Sequence, residues 1–176
     1  MQNRQYDQGV ANFTRATEID PDQGVVWAYL ADAFQGLAGT KAGSERDEAM
    51  EQALAAYRKA VALNPNKAAF HNNYALALAR GKKFEEARTE LVKATELDSP
   101  NAGKYQLMLG SVLVLAGRNE EALSAFKNAA EAGNSEGYFH YGLGLAAQSS
   151  CNRRPDQPSS RDCRGPSEVS AACTRR

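Results

Sequence analysis

The sequence predicts an all-α chain: an antiparallel helix-pair solenoid of about eight helices, followed by a disordered C-terminal tail. Two families of recurring positions and one kind of punctuation carry that expectation. Small–large–small triplets recur as Gly9, Phe13, Ala16; Ala53, Tyr57, Ala60; Ala87, Leu91, Ala94; and Ala122, Phe126, Ala129, with steps of 44, 34 and 35 residues in every column. The pairs Leu30-Ala31, Tyr74-Ala75, Leu109-Gly110 and Leu143-Gly144 recur with steps of 44, 35 and 34. Pro21, Pro65 and Pro100, with Asn134 in the fourth slot, close the units.

The physics of these columns is direct. Two helices pack closely only where a small side chain lets the backbones approach and a bulky neighbour fills the space left over. Small–x3–large–x2–small places such a seam on one face of a helix. Proline then ends the unit, because it cannot continue a helix.

Taken in order, residues Arg4 to Ile19 carry Tyr6, Val10, Phe13 and Ala16 on one helical face. This is a second helix without its first, so the chain begins in the middle of a unit and a natural start is expected upstream. Asp20-Pro21-Asp22 ends it. Gly24 to Leu37 forms the next first helix. A ten-residue excess over the 34-residue period follows, running through Gly36, Gly39 and Gly43. It is expected as a lengthened helix plus a mobile loop. Ser44 with Asp47 resembles a capping box at its start. That helix runs to Leu63. Its plainest reading is a tolerated surface insertion, its sharper one a partner-contacting finger.

Lys67 to Arg80, a Gly81-Lys82-Lys83 turn and Phe84 to Leu97 complete one full unit. Ser99 is an extra residue in its closing turn. Ala102 to Ala116 and Asn119 to Ala132 make the next, and Ser135 to Gln148 a lone first helix. From Ser149 the composition changes: six Arg, no Lys, three Pro and all three Cys. Without an apolar period, residues 149–176 are expected to be disordered. The abrupt switch points to a non-native tail, for instance from a shifted reading frame.

A helix–turn–helix unit of roughly 34 residues with this pattern resembles the tetratricopeptide repeat. Trp27, Leu30, Ala31 and Phe34 are similar to that family's W-x2-L-G-x2-Y element, with Ala for Gly and Phe for Tyr. The resemblance is to bacterial members, and the last unit, AAEAGNSEGYFHYGLGL, also resembles a Sel1-type repeat. It implies a right-handed superhelix over residues 1–148. The expected divisions are a partial unit 1–23, a unit with insertion 24–67, units 68–102 and 103–136, and a partial unit 137–148.

Composition narrows the function. Lys plus Arg equals Asp plus Glu, 21 each. Before residue 151 the balance is 15 basic against 18 acidic. That is not the basic face a nucleic-acid partner wants, and it argues against the RNA-binding pentatricopeptide relative. No apolar run approaches the ~20 residues of a membrane span, and MQNRQYDQGV lacks the apolar stretch of a signal peptide. Partners are therefore expected to be proteins or peptides, with no nucleic acid and no membrane span. Neither end carries an evident polar cap, so self-association through the ends is expected as well.

Catalysis finds little support. His71 and His140 occupy equivalent slots where the family often has an aromatic, and read as core or groove-lining residues. Glu85-Glu86 and Glu120-Glu121 sit at helix starts, where the dipole favours acids. Cys151, Cys163 and Cys173 have no zinc spacing, and there is no phosphate-binding glycine loop. No enzyme activity, cofactor or metal is expected.

The resemblance implies that stacked first helices line a concave groove. Its residues here are Val25, Tyr29 and Asp32; Ala69, Asn72, Asn73, Leu76 and Arg80; Lys104, Met108, Ser111 and Leu115; and Tyr138 and Tyr141. Asparagine can donate to and accept from a peptide backbone at once, and tyrosine supplies rigid amphipathic area. A subtype of the family clamps the C-terminal carboxylate of chaperones with Lys and Asn residues. Asn73 and Lys104 match that subtype, while Ala28, Asp32 and Met108 do not, and Asp32 would repel a carboxylate. The expected function is a scaffold that binds a partner in this groove. The alternative is a recruiting or assembly module of a larger enzyme or complex.

Overall fold

A computed structural model describes residues 2–133 together with Gly142 and Gly144. Among these residues there are seven α-helices and no strand: α1 (Gln2–Ile19), α2 (Gly24–Ala38), α3 (Gly43–Leu63), α4 (Ala68–Arg80), α5 (Phe84–Leu97), α6 (Ala102–Ala116) and α7 (Asn119–Glu131). A single 3-10 turn, Ser99–Asn101, takes up the extra residue after α5. The all-α helix-pair architecture of a solenoid is therefore what the chain adopts. The expected eighth helix lies outside the described residues apart from Gly142 and Gly144, and so does the tail.

The described residues divide into two compact units, one ending at Ser99 and one beginning at Pro100. In the first, α1 packs on α2, α2 on α3, α3 on α4 and α4 on α5. In the second, α6 packs on α7. Within each unit, helices that follow one another across a short turn pack as αα-hairpins.

The triplet columns form the seams. Ala53, Ala60, Ala87, Leu91, Ala94 and Ala122 are fully enclosed, and Tyr57, Phe126 and Ala129 are nearly so. Burying a large apolar side chain of this kind contributes about 2 kcal/mol. The alanines also favour helix more than any other residue, so local propensity and packing agree. At the junction of α2, α3 and α4, the core gathers Ala28, Ala60 and Phe70, with Trp27 and Val61 against it. In α1, Gly9, Phe13 and Ala16 are only half-buried. There Gly9 lies against Ala33, and the Tyr6 ring covers Gly36 so closely that a Cβ at Gly36 would stand 2.2 Å from it.

The insertion differs from expectation. Only four residues, 39–42, separate α2 from α3, a turn rather than a long loop. Nearly all of the excess is helix, because α3 has 21 residues against 14 in α5 and 13 in α7. The turn is tied down by Thr40, whose Oγ1 and backbone N–H both donate to the Leu37 carbonyl, at 2.7 and 2.9 Å. Gly43 enters α3 at φ 57, in the left-handed region that favours glycine. This displaces the expected capping box: Ala42 is the cap residue, with no side-chain bond, and Ser44 lies inside the helix. Asp47 turns instead to Arg46 at 3.4 Å.

Candidate functional site

Charge is unevenly shared between the two kinds of helix. The first helices α2, α4 and α6 carry only Asp32, Arg80 and Lys104 as charged residues. The second helices α3, α5 and α7 hold strings of acids and bases on their outer faces, such as Glu45-Arg46-Asp47-Glu48. Most of these pair locally: Lys41 with Glu45, Lys93 with Glu90 and Arg118 with Glu121. First helices in the middle of a stack are covered on more sides, and an unpaired charge there is costly. The few polar groups they retain are therefore informative.

On α2, the exposed residues at helical spacing are Val25, Tyr29 and Asp32. Tyr29 is 53% exposed, yet its ring is held by stacking on Phe13 of α1, with centroids 5.6 Å apart and planes at 22°. Asp32 accepts a short hydrogen bond from the Tyr57 hydroxyl through Oδ1. Tyr57 is buried on α3. Its hydroxyl is pushed well above the usual phenol range, first by burial, then by the hydrogen bond to Asp32 and that carboxylate's charge, against a smaller opposing pull from Arg80.

On α4, Ala69 is exposed, Asn73 and Leu76 are half-buried and Arg80 is exposed. Asn72 is a correction: it was expected on the open face, but it is buried with 6% exposure. The packing around α4 encloses the turn containing His71, Asn72 and Tyr74, all buried. The Asn72 Nδ2 donates to Asn73 Oδ1 at 3.2 Å, while the buried Asn72 Oδ1 has no hydrogen-bond partner among the described residues. His71 belongs to the core of the pair. Its Nε2 donates to the Pro65 carbonyl at 2.8 Å, and its Nδ1 lies 2.6 Å from Glu90 Oε2 on α5.

In the second unit, Lys104 and Leu115 are exposed on α6, and Met108 and Ser111 are half-buried. The Ser111 hydroxyl donates to the Leu107 carbonyl at 3.0 Å, within its own helix. Tyr138, Tyr141 and His140 lie outside the described residues. Among the described residues, no three His, Cys, Asp or Glu side chains come together as a metal site would need. No described helix is long and apolar enough to cross a membrane.

Two contributors went unread in the sequence. Phe13 and Tyr57 were placed only in the small–large–small column. Phe13 also backs Tyr29, and Tyr57 also positions Asp32. A signal for the second existed: the column has Phe13, Leu91 and Phe126 where α3 has Tyr57, and a buried tyrosine hydroxyl needs a partner.

A family model described as tetratricopeptide repeat matches residues 50–104 and 107–148. The small glutamine-rich tetratricopeptide repeat-containing protein 2 of Mycosarcoma maydis is 33% identical over 120 residues, which is 68% of this chain and 33% of that protein. The chain thus spans about a third of the length of this curated relative. Among solved structures, a thermophilic TPR protein of Thermus thermophilus superposes with a TM-score of 0.62 at 22% identity, over 81% of this chain and 70% of that one. The first TPR of Spaghetti, bound to the HSP90 peptide SRMEEVD, superposes with a TM-score of 0.52 at 18% identity, over 70% and 95%. At these identities the structural likeness is one of fold.

Proposed function

Because this chain belongs to the tetratricopeptide repeat family, we propose that it is a non-catalytic interaction scaffold that holds a segment of another protein against the faces of its first helices. The observation that carries this reading is the open face of α4, where Asn73 and Leu76 are half-buried and Arg80 is exposed. The half-buried Asn73 amide can donate to and accept from the backbone of an extended peptide. Leu76 and Arg80 continue the same face of α4 toward its end. Lys104, Met108 and Ser111 on α6 offer a second face of similar character. The complex of the first TPR of Spaghetti with an HSP90 peptide supports peptide binding as work this fold can do.

The share of the curated relative that this chain spans favours a second reading alongside the first. Here the scaffold is the recruiting or assembly module of a larger protein, with the same contact.

The test is to pan the full chain against a random peptide library. Enriched peptides should lose binding to a variant carrying Asn73→Ala and Arg80→Glu, while its helix content and melting temperature stay unchanged. Equal binding by that variant would move the contact off α4 and overturn the reading.

A further inference from the structure

We infer that Tyr29 and Asp32 on α2 form an anchor for a positively charged side chain, lysine or arginine, of the bound segment. The inference rests on the scaffold reading above and names the chemistry of its partner.

Asp32 is the only acidic residue on α2, α4 and α6. It is exposed, and among the described residues no cation forms an ion pair with it, whereas Glu45, Glu51, Glu90 and Glu121 each face a lysine or arginine. Its carboxylate is nevertheless fixed. The buried Tyr57 hydroxyl donates to Oδ1, which leaves Oδ2 with its acceptor capacity for something outside the chain.

Tyr29 stands one helical turn before Asp32, so the two side chains share a face. Stacking on Phe13 occupies one side of the Tyr29 ring, and its exposure leaves the other side to a partner. A cation over a tyrosine face is attracted by the ring quadrupole. A carboxylate one turn away adds direct charge complementarity. Val25 is 40% exposed a further turn back, where the aliphatic stem of a lysine or arginine can lie. Arg80 acts on Tyr57 from the last turn of α4 and weakens the local negative field, but among the described residues it makes no ion pair with Asp32. An acidic segment, by contrast, would meet Asp32 as a like charge.

The experiment takes peptides enriched on the full chain and measures their affinity by fluorescence anisotropy. They should share a lysine or arginine. Replacing that residue by norleucine or citrulline should weaken binding about tenfold. Asp32→Asn keeps an acceptor for the Tyr57 hydroxyl, so the fold is retained. It should weaken the basic peptide by a similar factor and leave the neutral peptide unaffected. Tyr29→Leu should cost a few-fold. Peptides that bind and respond to the Asn73 and Arg80 substitutions, yet share no basic residue or ignore Asp32→Asn, overturn the anchor and leave the scaffold standing. Enrichment of no peptide overturns both. Self-association read by light scattering and abolished by Asp32→Asn would put a second copy in place of the peptide and overturn the assignment.

Discussion

Trp27 and His71 make the same hydrogen bond from equivalent places in successive units. Each ring N–H donates, at 2.8 Å, to the carbonyl of the proline six residues earlier, Pro21 for Trp27 and Pro65 for His71. The closing proline ends one unit, and the ring of the next first helix fastens onto it. His71 has a second contact that Trp27 lacks, to Glu90 on α5, so the same slot also ties its pair together. Trp27→Phe should therefore destabilise by about 1 kcal/mol through the lost hydrogen bond. His71→Ala should cost more, about 2–4 kcal/mol, because it removes a buried ring together with both of its polar contacts, to Pro65 and Glu90. Urea denaturation of both variants checks this, and equal losses would show that the Glu90 contact adds nothing.

Tyr57 gives the fold an alkaline limit. Its hydroxyl is held protonated beyond the usual value of 10.0, chiefly by burial. The folded chain therefore keeps a proton that the unfolded chain releases near pH 10. Below that pH both states hold it and stability is level. Above it, this group lowers stability as pH rises, by up to about 1.4 kcal/mol per pH unit. Urea midpoints taken from pH 8 to 11 should fall more steeply in the parent chain than in Tyr57→Phe, and parallel curves would count against the assignment.

Asn72→Leu should keep or raise stability, by about 1 kcal/mol, because it replaces a half-satisfied buried amide with an apolar side chain of similar size. The same change should affect peptide binding at α4 only through Asn73, whose Oδ1 loses the Asn72 Nδ2 donor. Thermal melts and binding measured on one preparation read both effects. A destabilised Asn72→Leu would mean that the bond to Asn73 outweighs the unmet acceptor.

Gly110 and Phe126 set the spacing of α6 and α7. A Cβ at Gly110 would lie 2.5 Å from the Phe126 ring, and one at Gly142 would lie 2.6 Å from it. The ring is 1% exposed, so it can shift only by displacing close-packed neighbours. Gly110→Ala should destabilise by about 1–3 kcal/mol through overpacking. Adding Phe126→Leu should recover part of that loss, a coupling that a double-mutant cycle would register. Additive losses would place the strain elsewhere.

Much of the fold was legible because it is written in spacing. The columns Ala53-Tyr57-Ala60, Ala87-Leu91-Ala94 and Ala122-Phe126-Ala129 identify the helices, their buried faces and their pairing. Helix ends fell within a few residues of expectation, since proline and glycine punctuate them. The insertion was legible in length but not in form. Three glycines read as a loose loop, yet only Gly39 and Gly43 flank the turn, and the polar run after Gly43 is good helix once Thr40 has fixed the entry.

By itself, then, the sequence determined the repeat, the helix faces and the family, because each is a local periodic property that every unit states again. The tertiary structure alone decided which polar groups are spent on the fold and which remain open. Asn72 and Asn73 are neighbours of the same type, but enclosure of one and not the other is settled by what packs around α4. Asp32 and Tyr57 are far apart in sequence, and only the packing of α2 on α3 makes one the support of the other. Burial and pairing are properties of neighbours in space, and periodicity along a chain does not encode them residue by residue.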